Sequence, residues 1–223
     1  NLSKRRLKRD AVEKMKWSPT KILKDQDCFI IGGGTSLRNF NWKLLERENT
    51  VGCNNAFRLG AQVCKRCVFV DRTFIFERKN EKRIGFYDEL KQYAESGCTV
   101  VTNDNQLRNQ PETWFIHVER QFRGLAVEDA LGYNWSCGAT AVNYALQLGA
   151  KTIYLLGFDM TLDANKQPNW HNHLIDKPSN ELYFRMIDGM ARVQRDLVKF
   201  PNCKIINVNS NNNLWFIPRI EPE

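Results

Sequence analysis

The sequence lacks the features that mark membrane-spanning and disulfide-built proteins. No apolar run approaches the ~20 residues that a membrane helix needs, and no secretory signal is visible at the N-terminus as given. The 7 cysteines are odd in number, and several lie in strand-like apolar runs. This pattern is typical of reduced, buried thiols. We therefore expect a cytoplasmic protein.

The usual metal and nucleotide signatures are also missing. Cys64 and Cys67 form the single C-x-x-C pair, and no second pair completes a four-ligand zinc site. There is no D-x-D motif, since Asp159 stands apart from Asp163. Neither G-x-G-x-x-G nor the Gly-Lys-Ser/Thr of a P-loop occurs. The sequence therefore predicts no metal site and no obligatory cofactor.

Size and charge narrow the class of protein. The 223 residues, with 42% hydrophobic and 26% charged residues, fit one large globular domain. The net charge of +8 indicates an anionic partner, which leaves nucleic acid, an anionic membrane or a phosphate-bearing ligand open.

Much of the positive charge lies in a predicted basic arm, residues 1–20, that precedes a single α/β domain, residues 21–223. The arm is either a solvated segment or a contact for a nucleic-acid backbone or an anionic bilayer. Its candidate polyanion-binding residues are Lys4, Arg5, Arg6, Lys8 and Arg9.

The domain is organised around the stretch DCFIIGGGTSL, residues 27–37. A short apolar run that stops at three glycines predicts a buried parallel strand entering a tight turn. Glycine lets a ligand approach the main chain closely, and Thr35 and Ser36 can cap a helix or donate to a phosphate. A glycine-rich turn without a ligand is the alternative.

Six further apolar runs predict strands, at residues 50–53, 63–70, 98–102, 114–118, 151–156 and 203–208. Most of them end in polar clusters, including Asn54 and Asn55, Asp71, and Asn209 with Ser210. These side chains can bind a base or a ribose, or simply satisfy turns. The pattern predicts a Rossmann-like α/β fold, a mostly parallel sheet with helices on both faces and a cleft along one edge.

Residues 39–48 predict a short helix or a turn, and helical patterns occupy residues 86–96, 139–148 and 180–200. Residues 74–85 and 120–129 are predicted as a charged connector and a polar loop. The loop contributes Arg123 to the candidate polyanion-binding residues. The third helix starts at Ser136, Cys137 and Gly138, whose small side chains favour either an anion at the helix N-terminus or close packing of the helix on the sheet.

A long polar segment, residues 160–177, contains two of the three histidines, His171 and His173. Segments of this length without regular structure are usually functional or mobile. Histidine is the natural general base near neutral pH, although a surface histidine without function is the alternative.

Over about residues 27–215 these motifs resemble, in order and spacing, the family-42-type bacterial sialyltransferases that use CMP-sialic acid, and related phage sugar-transferase-like proteins. The motifs are GGTSL at 33–37, CNNAF at 53–57, SCG at 136–138, the block AVNYALQLGAKTIYLLGFD at 141–159, and VNS at 208–210. Three positions depart from the family pattern: Gly33 replaces an asparagine, Thr35 a proline and Cys137 a serine.

The resemblance implies a GT-A-like, sialyltransferase-like fold and a glycosyltransferase that needs no metal, with a nucleotide sugar, CMP-linked by preference, as co-substrate. His173, or else His171, would be the general base. The implied nucleotide-binding residues are Gly33, Gly34, Thr35, Ser36, Asn54, Asn55, Asp71, Ser136, Cys137, Gly138, Asp159, Asn209 and Ser210.

The acceptor is left open by the motifs. The basic arm and the net charge favour a polyanion, and a hydroxylated base in phage DNA is one hypothesis, which would place the protein in the host cytoplasm. A cell-surface glycan at a membrane is its rival. Two other function classes also stay open: a Mg²⁺-dependent pyrophosphokinase-like enzyme and a non-catalytic nucleic-acid-binding protein.

Overall fold

The computed structural model describes residues 17–76, 78–79, 82–83, 85–171, 179–209 and 213–220. The eleven strands in these residues are β1 Asp27–Ile31, β2 Thr50–Cys53, β3 Arg66–Phe69, β4 Arg78–Lys79, β5 Lys82–Arg83, β6 Thr99–Thr102, β7 Ile116–His117, β8 Glu119–Gln121, β9 Ala130–Gly132, β10 Thr152–Leu156 and β11 Lys204–Asn207. The α-helices are α1 Thr73–Phe76, α2 Tyr87–Glu95, α3 Cys137–Gln147 and α4 Asn180–Asp196. Short 3₁₀ turns cover Thr35–Leu37, Trp42–Leu45, Asn54–Leu59, Asn105–Leu107 and Leu197–Lys199.

Seven strands form one parallel sheet in the order β11-β10-β1-β2-β3-β6-β7. These are the seven strands predicted from the apolar runs. The chain builds the sheet outward from β1 to β7 and then returns to place β10 on the other side of β1. The order therefore reverses between β1 and β10, which is the place where open α/β sheets bind ligands.

Helices cover both faces of the sheet because successive strand residues point to opposite sides. On one face Ile30 and Leu155 belong to the core that packs under α3 and α4, while on the other Ile31 and Leu156 belong to the core that includes α2. Every residue of α3 is buried. The predicted α/β class, with a parallel sheet and helices on both faces, is confirmed.

Two segments predicted as connections contain or overlap short strands that the sequence did not predict. The connector 74–85 contains the end of α1 and the antiparallel pair of β4 and β5. The loop 120–129 begins inside β8, which pairs with β9. Both pairs are short and carry charged residues, so the alternation of apolar and polar residues that reveals a strand in sequence is absent.

The predicted strand 63–70 is shorter in the structure because its first residues belong to a turn. The amides of Val63 and Cys64 both donate to the carbonyl of Gly60, so regular pairing starts only at Arg66.

The basic residues Lys4, Arg5, Arg6, Lys8 and Arg9 lie outside the described residues. Trp17 is described and packs against Tyr144 of α3, with ring centroids 6.0 Å apart. No described helix is both long enough and apolar enough to cross a bilayer.

Candidate nucleotide-binding cleft

A cleft of about 150 Å³ opens at the carboxyl ends of β1, β2 and β10, where the strand order reverses. The pairing register brings Ile31 beside Leu156 on one side and beside Gly52 on the other. The segments that follow these strands therefore meet at one edge. The described lining consists of Gly32, Gly33, Gly34, Cys53, Asn54, Ser136, Cys137, Gly138, Gly157, Phe158, Met160, Thr161, Pro168, Asn169, Tyr183 and Met186.

The glycine turn owes part of its composition to the neighbouring turn after β10. The amide of Gly32 donates to the carbonyl of Leu156 and that of Gly34 to the carbonyl of Gly157, both at 2.8 Å. A methyl group on Gly34 would lie 2.5 Å from Cγ of Asp159 and 2.6 Å from the carbonyl oxygen of Gly157. Close approach of two main chains is therefore a sufficient reason for glycine at position 34.

Asp159 ties the two turns together from a buried position. Its carboxylate accepts from the Ser36 amide at 2.8 Å and from the Ser36 hydroxyl at 2.6 Å. It also accepts from the side-chain amide of Asn209 and, at 3.4 Å, from the hydroxyl of Thr35. The predicted nucleotide-binding residues Thr35, Ser36, Asp159 and Asn209 thus bind one another. The phosphate of a bound nucleotide would have to compete with Asp159 for the hydrogen bonds of Ser36.

The start of α3 forms the opposite wall of the cleft. Ser136 caps the helix, since its hydroxyl accepts from the amide of Ala139 at 3.3 Å. Gly138 is required for packing, because a methyl group there would lie 2.6 Å from the ring of Phe158. Close packing and a helix start that lines the cleft therefore occur together, and the helix dipole favours an anion at this end of the cleft.

Cys137 presents a neutral thiol at the floor of the cleft. Its Sγ donates to the carbonyl of Val68 at 2.9 Å. Burial, together with the neighbouring thiol of Cys53, raises the pKa of Cys137 well above its ordinary value. The family-42-type sialyltransferases that the motifs resemble have a serine at this position. Here the position is occupied by a protonated thiol that already has an acceptor in the protein.

The polar segment 160–177 contains Trp170, which is hydrogen-bonded to the glycine turn. The indole Nε1 donates to the carbonyl of Gly32 at 3.0 Å, and the Trp170 amide donates to that of Gly33 at 2.9 Å. His171 packs edge-on against the Trp170 ring, with centroids 4.9 Å apart. His171 therefore directly follows a residue that is hydrogen-bonded to the glycine turn. His173 and Ser210 lie outside the described residues.

The remaining predicted residues divide between two places. Asn54 lines the cleft and adopts a left-handed conformation, φ +49°, which asparagine tolerates better than most residues. Asn55 is buried and does not contribute to the described lining. Asp71 lies in a separate depression beside Asp104. The surrounding protein raises the pKa of Asp71 by excluding water, and Arg120 partly offsets this effect.

Two lining residues, Tyr183 and Met186, come from α4. Neither is among the residues that the sequence predicts for the site. Burial, with a smaller contribution from Asp159, raises the pKa of Tyr183 to about 12. Its phenol is therefore protonated at neutral pH and can donate a hydrogen bond. The spacing of three between the two residues places them on one face of the helix, which was the available signal.

The described lining offers hydroxyl, amide, thiol and phenol groups and no carboxylate. In the described ranges, no three His, Cys, Asp or Glu side chains gather in a way that could hold a metal ion.

Gly34→Ala should destabilise the protein by about 1–3 kcal/mol, because the added methyl group meets Asp159 and the Gly157 carbonyl in a packed region. Gly33→Ala is the matched control. Its methyl group would meet only the side-chain end of Asn169, 2.7 Å from Oδ1, and that side chain can rotate away. Urea unfolding midpoints of the two variants measure the difference, and equal losses would contradict this account.

No family model and no curated protein matches the sequence. Among solved structures, the chain is similar to the sialyltransferase CstII from Campylobacter jejuni in complex with the substrate analogue CMP-3FNeuAc, with 16% identity, 88% of this chain and 85% of that chain covered, and a TM-score of 0.48. It is also similar to a variant of the sialyltransferase CST-II in complex with CMP, with 17% identity, coverage of 87% and 86%, and a TM-score of 0.47.

Proposed function

We propose that the protein is a glycosyltransferase that takes a sugar from a nucleotide-sugar donor, CMP-linked by preference, and transfers it to an acceptor hydroxyl. The observation that carries the proposal is the cleft at the reversal of strand order between β1 and β10, lined by the glycine turn, Asn54 and the start of α3. Nucleotides bind in this position in open α/β sheets. The order of motifs that resembles the family-42-type sialyltransferases supports the same conclusion.

In the proposed reaction the acceptor oxygen attacks the anomeric carbon, and the bond from that carbon to the nucleotide phosphate breaks. His173, or else His171, takes the proton of the acceptor hydroxyl. The departing phosphate gains negative charge, and in this proposal the start of α3 and the protonated Tyr183, which both line the cleft, stabilise it. Ser36 and the Gly34 amide are less suited to this role, since both already donate within the protein.

The lining weighs against the pyrophosphokinase-like alternative. Transfer of a diphosphate from ATP relies on Mg²⁺ held by carboxylates, and the described lining contains none. Asp71 and Asp104, which could serve as a carboxylate pair, lie in the separate depression. We therefore expect donor binding in the presence of EDTA.

A nucleotide panel tests the proposal directly. CMP, UMP, GMP, AMP and ATP are added to the protein with EDTA or with Mg²⁺, and Tm is measured. Binding of CMP at one hundred times Kd would stabilise the fold by about 2.7 kcal/mol, a shift of several degrees. A shift by ATP that needs Mg²⁺ would favour the kinase alternative, and no shift with any nucleotide would overturn the proposal.

The site of binding is tested by a pair of variants on α4. Met186 lines the cleft, so Met186→Trp should fill it and abolish the shift with CMP. Phe184 is on the same helix and 71% exposed, so Phe184→Trp is the matched control and should bind CMP normally. Equal CMP binding by both variants would exclude this cleft as the donor site.

For the acceptor we propose a polyanion, with a hydroxylated base in DNA as the specific hypothesis. It rests on the net charge of +8 and the basic arm. Binding to duplex DNA that weakens steeply with salt supports it. Binding to anionic liposomes without binding to DNA supports the membrane alternative instead.

A further inference from the structure

A second cleft, of about 340 Å³, lies next to the donor cleft and is lined by Arg123, Asn134, Trp135, Arg185, Asp188, Gly189 and Arg192. The two clefts share no described lining residue, but they are direct neighbours. Ser136 lines the first and Trp135 the second, while different faces of α4 contribute to each. The segment 134–136 and helix α4 therefore contribute to both clefts.

Three arginines against one aspartate leave the lining of this second cleft positively charged. No ion pair joins Arg123 to another described residue. Arg192 donates through Nε at 3.0 Å and Nη2 at 2.8 Å to a single oxygen of Asp188. Arg185 lies over the Trp135 ring, 5.1 Å from its centroid, and pairs with the exposed Glu181.

The main chain around Arg123 is held by the polar side chains of Gln121, Asn134 and Asp196, of which Asn134 is buried. The Arg123 carbonyl accepts from Gln121 at 2.8 Å. The next amide, of Gly124, donates to Asn134 Oδ1 at 2.7 Å, and Asn134 Nδ2 donates back to the Gly124 carbonyl at 2.9 Å. The amide of Leu125 donates to Asp196 of α4 at 3.0 Å. The main chain next to Arg123 is thus hydrogen-bonded to α4 before any ligand binds.

Close packing at Gly189 keeps the two walls of the cleft together. A methyl group at this position would collide with the carbonyl oxygen of Asn134, so only glycine lets α4 approach this closely. The approach brings Asp188 and Arg192 beside the segment that carries Trp135.

We propose that this second cleft binds an oxyanion, a phosphate or a carboxylate, carried by the acceptor substrate. The assignment to the acceptor rests on the proposed function, whereas the anion site itself rests on the lining. Planar guanidinium groups bind both kinds of oxyanion through paired hydrogen bonds. Arg123, which forms no ion pair with another described residue, supplies such a group, and the adjacent donor cleft accounts for the need to orient an acceptor here.

The test is calorimetric titration of the full chain, at low salt, with glycerol 3-phosphate and, separately, with glucuronate. We expect saturable binding of at least one probe, and the tighter one identifies the preferred oxyanion. Arg123→Ala should weaken binding about tenfold, which is 1.4 kcal/mol. Asp188→Asn should tighten it severalfold, because it removes the one carboxylate of the lining and releases Arg192.

Arg195→Ala is the matched control, because Arg195 is an exposed arginine of α4 outside this lining, and it should bind the probes as the unmodified protein does. Absence of saturable binding, or equal weakening by Arg195→Ala and Arg123→Ala, would overturn the proposal. CMP titrated in parallel separates the two proposals. Probe binding without CMP binding removes the donor assignment alone, and CMP binding without probe binding removes the anion site alone.

Discussion

Replacing His173 by alanine is expected to lower the rate of sugar transfer by about 100- to 10,000-fold, the contribution of a positioned general base. The donor affinity should stay nearly unchanged, because a general base acts on the acceptor hydroxyl. The expectation rests on the resemblance to the family-42-type sialyltransferases. It also rests on Trp170, three residues before His173, whose two hydrogen bonds join it to the glycine turn.

The pH profile gives the stronger evidence for this role. A general base must be deprotonated, so the rate should fall as the pH drops below the pKa of the histidine. His173→Ala should remove this acid limb. The rates and pH profiles of His173→Ala and His171→Ala are measured together with His117→Gln, a control on the edge strand β7. Loss of the acid limb in His171→Ala alone would transfer the role to His171.

Replacing Asp159 by alanine is expected to cost about 3 kcal/mol of the free energy of unfolding. The carboxylate is 5% exposed and accepts from the Ser36 amide, the Ser36 hydroxyl and the Asn209 side chain. Hydrogen bonds to charged groups contribute about 1.5–3 kcal/mol each, and the loss of a network of them is among the larger effects of a single substitution. The loss should appear as a lower urea midpoint with an unchanged m-value.

Asp188→Ala is the control for Asp159. Asp188 is exposed and pairs with Arg192 one helical turn away, so its replacement should cost no more than about 0.5 kcal/mol. A double variant with Ser36→Ala then tests the contact itself. Because Asp159 and Ser36 share hydrogen bonds, their costs should not add. A cost below about 1 kcal/mol for Asp159→Ala would contradict its role in joining the two turns.

The strands were predictable because a buried parallel strand appears in the sequence as a short continuous run of apolar residues. Ile30 and Ile31, for example, lie in a short apolar run that stops at glycine, and both are fully buried on opposite faces of the sheet. The short pairs β4 with β5 and β8 with β9 were missed. The two-residue strands β4 and β5 are too short to show a period of two, and the Glu-Arg-Gln of β8 has no alternation of apolar and polar residues.

The hydrogen-bonding polar residues of α3 were missed for a different reason. Thr140, Asn143 and Gln147 follow one another at helical spacing on a helix that is buried on every side. Asn143 alone accepts from the amides of Ala126 and Gly132 and donates to the carbonyl of Ala126. Their spacing signalled a polar face, but it could not say that the partner is main chain from the segment that leads to Trp135.

The sequence by itself determined the α/β class, the seven strands of the parallel sheet, and the glycine turn as the place around which a cleft forms. Apolar runs, glycines and caps act within a few residues of chain, so they can be read without coordinates. Only the tertiary structure showed that Asp159 binds Ser36, that Trp170 binds the carbonyls of the glycine turn, and that Arg123 and Arg192 line one cleft. These pairs are separated by 69 residues or more, and such contacts depend on the strand order and on how closely α4 packs against the sheet.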